Sequence, residues 1–363
     1  MGNYLFNMKK LSPFLFFLLF FQLLAYSKPV ETFYGTIEVT EPLLLELIES
    51  APMQRLKKVH QYGVSYYTSH REEYSRYDHS LGVFAILRLK GASLKEQVAG
   101  LLHDVSHTVF SHVGDFVFQH DASRDSYQDK IHEWFLEKYG IGKILKKHGY
   151  TVAEVHPDSG AFHALEQDLP DLCADRIDYN LQGAFHRGFL TKKEALTLLE
   201  SMVFEEGRWE SSRPDLMKKV VRFSLFMTED CWGSADNYLK STWLAEVIIK
   251  AIQLKKITWE DVYYGTDDRV WVTLKGIDDP YISERFQKIL HPQNHFQLSD
   301  KGSADLEVRQ KFRGINPLIR SGSELKRLTE WDTAIAGEYY LVKKRMEKGW
   351  SIKMLSPICA SAQ

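Results

Sequence analysis

The chain has 363 residues, 44% of them hydrophobic and 26% charged, with a formal net charge of −2. That length supports one large buried core and a second, smaller unit. The balance excludes a disordered chain, a multi-span membrane protein and a global basic field for nucleic acid, so any anionic substrate has to be met by local groups.

Lys9 and Lys10 precede the apolar run Leu11 to Ala25, and Ala25-Tyr26-Ser27 follows as a small-x-small exit. A charged start, a short apolar run and small residues at the end form a secretory signal over residues 1–27, which directs the chain to the periplasm or the exterior. The run is shorter than a spanning helix needs; the alternative is an uncleaved membrane anchor.

From Glu41 to about Lys255 the apolar spacing is helical almost throughout and strand signals are nearly absent. Pro42 opens Leu43 to Ile48, the favoured place for proline in a helix. Leu81, Phe84, Ala85 and Leu87 to Leu89 form a helical stripe. Ser93 and Glu96 carry a capping-box signature ahead of Leu94 to Leu102. Further helices are expected at 131–139, 192–204, 214–227 and 235–254. Beyond Ile257 the character changes. Arg269 to Leu274 and Leu306 to Arg313 alternate like strands, and Glu338 to Met346 and Trp350 to Leu355 flank Glu347-Lys348-Gly349 like a hairpin. The fold class read from this pattern is mainly α: an all-α bundle over residues 28–255 joined to a small α+β region over 256–363. The three cysteines, Cys173, Cys231 and Cys359, form no zinc pattern, and small buried thiols are the plain reading.

Chemistry concentrates in Leu101-Leu102-His103-Asp104-Val105-Ser106-His107. A His-Asp pair at the end of an apolar helix needs partners, because an unpaired buried polar group costs roughly 1–3 kcal/mol. A divalent cation satisfies both, with neutral nitrogen from one and anionic oxygen from the other. Upstream, His79 opens a helix with Arg76 one turn before it. Downstream, Asp175, Asp178 and Tyr179 share one helix face. If residues 103–115 were one straight helix, His112 would point away from His103, since nine residues make two and a half turns. Ser106 and Thr108 favour a break near Val105 to Thr108 that would let both face one site.

These segments together resemble the HD superfamily of metal-dependent phosphohydrolases, whose pattern is H…HD…D. The similarity is closest to its deoxynucleotide triphosphohydrolase branch. It rests on Gln54 to Gly63, Tyr77 to Val83, Ala99 to His107 with Phe110-Ser111-His112, and Asp175 to Tyr179. The resemblance implies a helical HD bundle that binds a divalent metal (Mn, Fe, Mg, Co, Ni or Zn) through His79, His103, Asp104 and Asp175. It implies that Gln61, Arg76 and Tyr179 meet the sugar or phosphates. It implies that His112 protonates the leaving oxygen, with His107 and Asp115 binding phosphate or orienting that acid. The implied reaction is attack of metal-bound hydroxide on the α-phosphorus of a nucleotide. The alternatives are a phosphodiesterase or phosphomonoesterase outside the cytoplasm, and a protein that binds metal and nucleotide without turnover. A homo-oligomer fits the family, and no specific nucleic-acid binding is expected.

Two departures stand out. The family has a His-Glu pair where this chain reads Tyr127-Gln128-Asp129-Lys130, with His132-Glu133 one turn later, and Ser106 and Thr108 stand at positions that are usually glycine. The alternative for His112 is a core or capping role, and for Gln61 a helix end before Gly63. Arg309, Lys311 and Arg313 read as a solvated strand face with Glu307.

Overall fold

The computed structural model describes residues 27–69, 74–119 and 126–355; the signal segment read over residues 1–27 lies outside them but for Ser27, as does Cys359. No helix of the described residues is long and apolar enough to cross a membrane.

The fold is mainly helical. A hairpin of β1 (Lys28–Thr32) and β2 (Gly35–Val39) comes first. Pro42 then opens α1 (Pro42–Glu49), which buries Leu43, Leu44, Leu45, Leu47 and Ile48. α2 (Arg76–Leu89) starts from a capping box: the Ser75 hydroxyl accepts the Asp78 N–H, and the Asp78 carboxylate accepts the Ser75 N–H. α3 (Leu94–Leu102) starts at Ser93, whose hydroxyl accepts the Glu96 N–H. The Glu96 carboxylate does not close that box. It accepts the Ala164 and Leu165 N–H groups and so ties a distant loop to α3. α3 stops at Leu102, and residues 103–112 run through tight turns before α4 (Val113–Val117). The break expected near Val105 is there. α5 (Tyr127–Lys138), α6 (Ala174–His186) and α7 (Lys192–Glu200) follow.

The body is not all-α. β1 and β2 precede it, and the helix expected to Phe204 ends at Glu200, where β3 (Met202–Glu205) turns through Glu206-Gly207 into β4 (Arg208–Ser211). Both turn residues have positive φ, 49° and 76°, a conformation glycine adopts without cost. α8 (Pro214–Phe226) and α9 (Ala235–Gln253) follow.

After α10 (Trp259–Tyr264), the stretch read as a strand at 269–274 is α11 (Asp267–Lys275). Val270, Trp271 and Leu274 are buried and Val272 is exposed, a helical stripe that short alternation mimics. α12 (Pro280–Leu290), β5 (Phe296–Leu298) and β6 (Leu306–Val308) follow, so the strand expected to Arg313 ends at Val308. β7 (Leu318–Ser321) and β8 (Glu324–Arg327) form a hairpin. The hairpin expected around Gly349 is instead α13 (Thr333–Lys348) followed by β9 (Trp350–Met354). Asp332 caps the helix start through the Ala334 and Ile335 N–H groups, and Gly349 ends it at a φ of 75°, which glycine adopts without cost.

The sheet order β3-β4-β7-β8 joins strands from either side of residue 255, β4 pairing parallel with β7. β5 and β6 flank β9. One core cluster runs from Val83 and Leu87 of α2 through Leu181 of α6 and Phe223 of α8 to Val342 of α13, which holds α2 and α6 in register for the site.

Candidate metal centre and cleft

α2 and α6 bring the first and last expected ligands together. His79, in the first turn of α2, is buried. Its Nδ1 lies 2.6 Å from Oδ2 of Asp178, and its Nε2 lies 3.0 Å from Oδ1 of Asp175. Asp178 is fully buried and also accepts from the Tyr34 hydroxyl at 2.9 Å and from Gln182. Burial raises the Asp178 carboxyl, against the hydrogen bond from His79. His103 follows the last turn of α3, with Nδ1 2.7 Å from the Gly100 carbonyl. A carboxylate and a carbonyl therefore take the Nδ1 protons and leave both Nε2 lone pairs for a ligand, the arrangement that orients metal-binding histidines.

The two Nε2 atoms stand 3.1 Å apart. Asp175 lies 3.6 Å from the His103 nitrogen. Asp104 lies 3.6 Å from His79 and 3.7 Å from His103. A cation with bonds of about 2.1 Å keeps neighbouring ligand atoms about 3.0–3.4 Å apart, so the donor set fits one. His79, His103 and Asp175 form the tight trio, and Asp104 sits at its rim. The electrostatics agree. Burial pushes the His79 imidazolium down, yet the Asp175 and Asp178 carboxylates carry it up to about 10. Burial opposes ionisation of Asp104, yet Arg76, His103 and His107 hold it well below the usual carboxylate range. These carboxylates call for positive charge, and in the metal-free protein protons answer them.

The turn that carries His103 and Asp104 is clamped from outside. The buried Arg55 guanidinium donates to the carbonyls of Val105, His107 and Gly265. Asp267, fully buried at the start of α11, accepts the Phe110 N–H at 2.7 Å and the His60 N–H at 2.9 Å. Phe110 and Ser111 hold φ of 58° and 56°, strained for side-chain-bearing residues and sustained by these contacts.

Arg76 links the centre to an open cleft of about 1300 Å³. Its Nη1 bonds Asp104, its Nε donates to Ser111 Oγ at 2.8 Å, and Nη2 reaches the Gln61 carbonyl at 3.4 Å. Gln61, Tyr179, His112 and Asp115 line the same cleft. His107 does not: it is buried with Nε2 3.1 Å from Asp104 Oδ1. Burial and the Arg76 charge push its imidazolium down to about 3, so it is a neutral donor to Asp104 near pH 7. His112 is half-exposed, with Nδ1 3.3 Å from Asp115 Oδ2. Asp115 in turn accepts the Tyr127 N–H at 2.6 Å. Gln128 is pinned, its Oε1 accepting from Ser106. The Ser106 hydroxyl also meets Nδ1 of the buried His132 at 2.9 Å.

Sequence reasoning missed Arg55 and Asp267, whose partners lie more than 150 residues away for Asp267 to Phe110 and 50 or more for Arg55. Arg309, Lys311 and Arg313, read as a solvated strand face, follow the end of β6 instead of lying on it; Arg309 and Lys311 are exposed, and all three line the cleft with Arg76. Of the cysteines read from the sequence as small buried thiols, Cys173 is buried and Cys231 partly buried.

The HD domain model matches residues 76–180, the span that holds all four expected ligands. The chain is 35% identical over 289 residues to the uncharacterized protein YdhJ of Bacillus subtilis, covering 79% of this chain and 86% of that protein. It is 37% identical over 253 residues to the metal-dependent phosphohydrolase cns2 of Cordyceps militaris, covering 68% and 72%. Over 142 residues it is 28% identical to the deoxynucleoside triphosphate triphosphohydrolase SAMHD1 of Xenopus laevis, covering 33% of this chain and 22% of that protein.

Proposed function

The chain belongs to the HD-domain metal-dependent phosphohydrolases, and on that premise we propose that it hydrolyses nucleotides, with deoxynucleoside triphosphates as lead substrates and reaction at the α-phosphorus. The observation that carries the reading is the pair of imidazole Nε2 atoms 3.1 Å apart beside Asp175, joined through Arg76 to a cleft with a half-exposed histidine.

His79, His103, Asp104 and Asp175 hold the metal in this reading. A divalent cation there supplies Lewis-acid polarisation of a phosphoryl oxygen and an activated water. Arg76, fixed by Asp104 and Ser111, presents its charge to a phosphate in the cleft. His112 hands a proton to the leaving nucleoside oxygen, and Asp115, steadied by the Tyr127 N–H, keeps its ring in place. His107 acts on Asp104 rather than on substrate, because its Nε2 proton is committed there. Gln61 and Tyr179 take the sugar or the adjoining phosphate.

A phosphomonoesterase or phosphodiesterase is the second reading, favoured by Gln128, whose pinned amide supplies no acid relay beside His112. A nucleotide panel with Mn, Mg, Co and Fe tests both. Release of nucleoside with intact inorganic triphosphate supports the first. Stepwise orthophosphate, or turnover of monophosphates and cyclic nucleotides alone, supports the second. Tight nucleotide binding with the ligand intact after long incubation refutes both.

A further inference from the structure

The cleft carries cations that the reaction centre does not use. Arg309, Lys311 and Arg313 all line it, on a segment that follows β6 and lies outside the span matched by the HD domain model. Both ends of the segment are fixed. Upstream, Val308 is buried and pairs with Trp350 of β9. Downstream, Ser224 of α8 donates to the Arg313 carbonyl and accepts the N–H of the fully buried Ile315, and Asn316 N–H donates to the Pro170 carbonyl at 3.0 Å. Residues 309–313 are therefore a strap anchored on two sides of the molecule.

Its charges gather with others. Arg313 acts on Tyr179, the cleft residue nearest the His79 ring in the aromatic network, at 6.5 Å between centroids. Burial, then Arg313 and Arg176, lower the Lys311 ammonium, with Asp168 and Asp129 pulling the other way. Cations brought together at a protein surface repel and attract an anion that spans them. Arg76 is already committed to Asp104 and Ser111, so the cations of the strap are further positive charge lining the cleft.

We propose that the strap Arg309–Arg313 is the subsite for the second and third phosphates of the substrate, so that it selects polyphosphorylated over monophosphorylated nucleotides. This rests on the nucleotide reading above, and it assigns the selection to the C-terminal region rather than to the metal-binding helices.

The test uses the full chain and its variant R309Q/K311Q/R313Q, titrated calorimetrically with orthophosphate, pyrophosphate and tripolyphosphate. Native protein should bind more tightly as the chain lengthens. The variant should bind tripolyphosphate roughly 10²–10³-fold more weakly, the worth of up to three charged hydrogen bonds, and orthophosphate as native does. An unchanged melting midpoint and unchanged metal content establish that the variant folds; if it does not, R309Q/K311Q, which alters only exposed residues, carries the same comparison. Equal tripolyphosphate affinity in native and variant overturns the strap, and so does a native protein with no preference for chain length. Nucleotide panels separate the two claims. Turnover of triphosphates that is indifferent to the substitutions refutes the strap and keeps the nucleotide reading. Strap-dependent tripolyphosphate binding without turnover of any nucleotide refutes that reading and keeps the strap.

Discussion

Gly82 sits in the middle of α2, where glycine is about 1 kcal/mol worse than alanine. A Cβ there would lie 1.9 Å from Oδ1 of Asp178 and 2.8 Å from Nε2 of Gln182. The carboxylate cannot step aside freely, because Asp178 is fully buried and tied to His79, Tyr34 and Gln182. Gly82→Ala should therefore overpack the contact between α2 and α6, at about 1–3 kcal/mol. It should also weaken the charged hydrogen bond to His79, at about 1.5–3 kcal/mol. Set against the gain of about 1 kcal/mol in helix propensity, the net loss is about 1.5–5 kcal/mol. Metal affinity should fall roughly 10–100-fold, as when an orienting partner of a ligand is lost. Denaturant unfolding gives the first figure and metal titration of stripped protein the second. Asp178→Ala vacates the space that the new methyl needs, so Gly82→Ala should cost far less in that background. Fully additive effects of the two substitutions, or native metal affinity in the single variant, would refute the reasoning.

Replacing Asp104 with Ala should abolish both bound metal and turnover, since Asp175 is then the one carboxylate left among the expected ligands; full metal occupancy with native activity would sink the assignment. His112→Asn should keep the metal and lower kcat roughly 10²–10⁴-fold, the usual worth of a general acid; unchanged kcat would refute that role. In the metal-free protein His79 is carried up to about 10, so at neutral pH a cation reaches Nε2 by displacing a proton. Uptake near pH 7 should release at least one proton, read by calorimetry in buffers of different ionisation heat, and affinity should climb with pH until about 10; uptake without proton release contradicts this. The sign for stability follows: the folded value lies above the ordinary 6.5, so the ion pair favours the metal-free fold below that pH and is lost as pH rises through about 10. We also propose export: N-terminal sequencing of protein from the native host should begin at Lys28, whereas an intact N-terminus in the membrane fraction indicates an anchor, and one in the cytosol overturns export.

The clustering of His79, His103, Asp104 and Asp175 was legible because their chemistry is local. His103-Asp104 adjoin in sequence, Asp175 and Asp178 share one helix face, and Ser106 and Thr108 mark the break that releases α3. Asp178 itself was seen on that face but not its partner, because nothing in the sequence pairs α2 with α6. Arg55 and Asp267 left no trace for a related reason: each looks like an ordinary charged residue until its carbonyl or N–H partners arrive from elsewhere in the chain. The C-terminal elements failed differently. Val270, Val272 and Leu274 alternate over too few residues to separate period 2 from period 3.6, and Gly349, which ends α13, was read as turn chemistry, while the Asp332 cap that starts the helix went unread.

The clamp made by Arg55 and Asp267 also bears on the order in which the molecule assembles. During synthesis all four expected ligands have been added once residue 175 is reached, yet two of the acceptors that fix the turn carrying two of them, the Gly265 carbonyl and the Asp267 carboxylate, come later. The strained pair Phe110-Ser111 then has no restraint from Asp267 for more than 90 residues of further elongation. A nascent chain at that stage owns the ligands without the geometry. The loop that must close, from Phe110 to Asp267, spans 157 positions, the kind of non-local contact that forms late. Premature metal capture by the partial chain would meet a loose set of donors, and the competent centre is sealed by a region that lies beyond the part of the chain that defines the family.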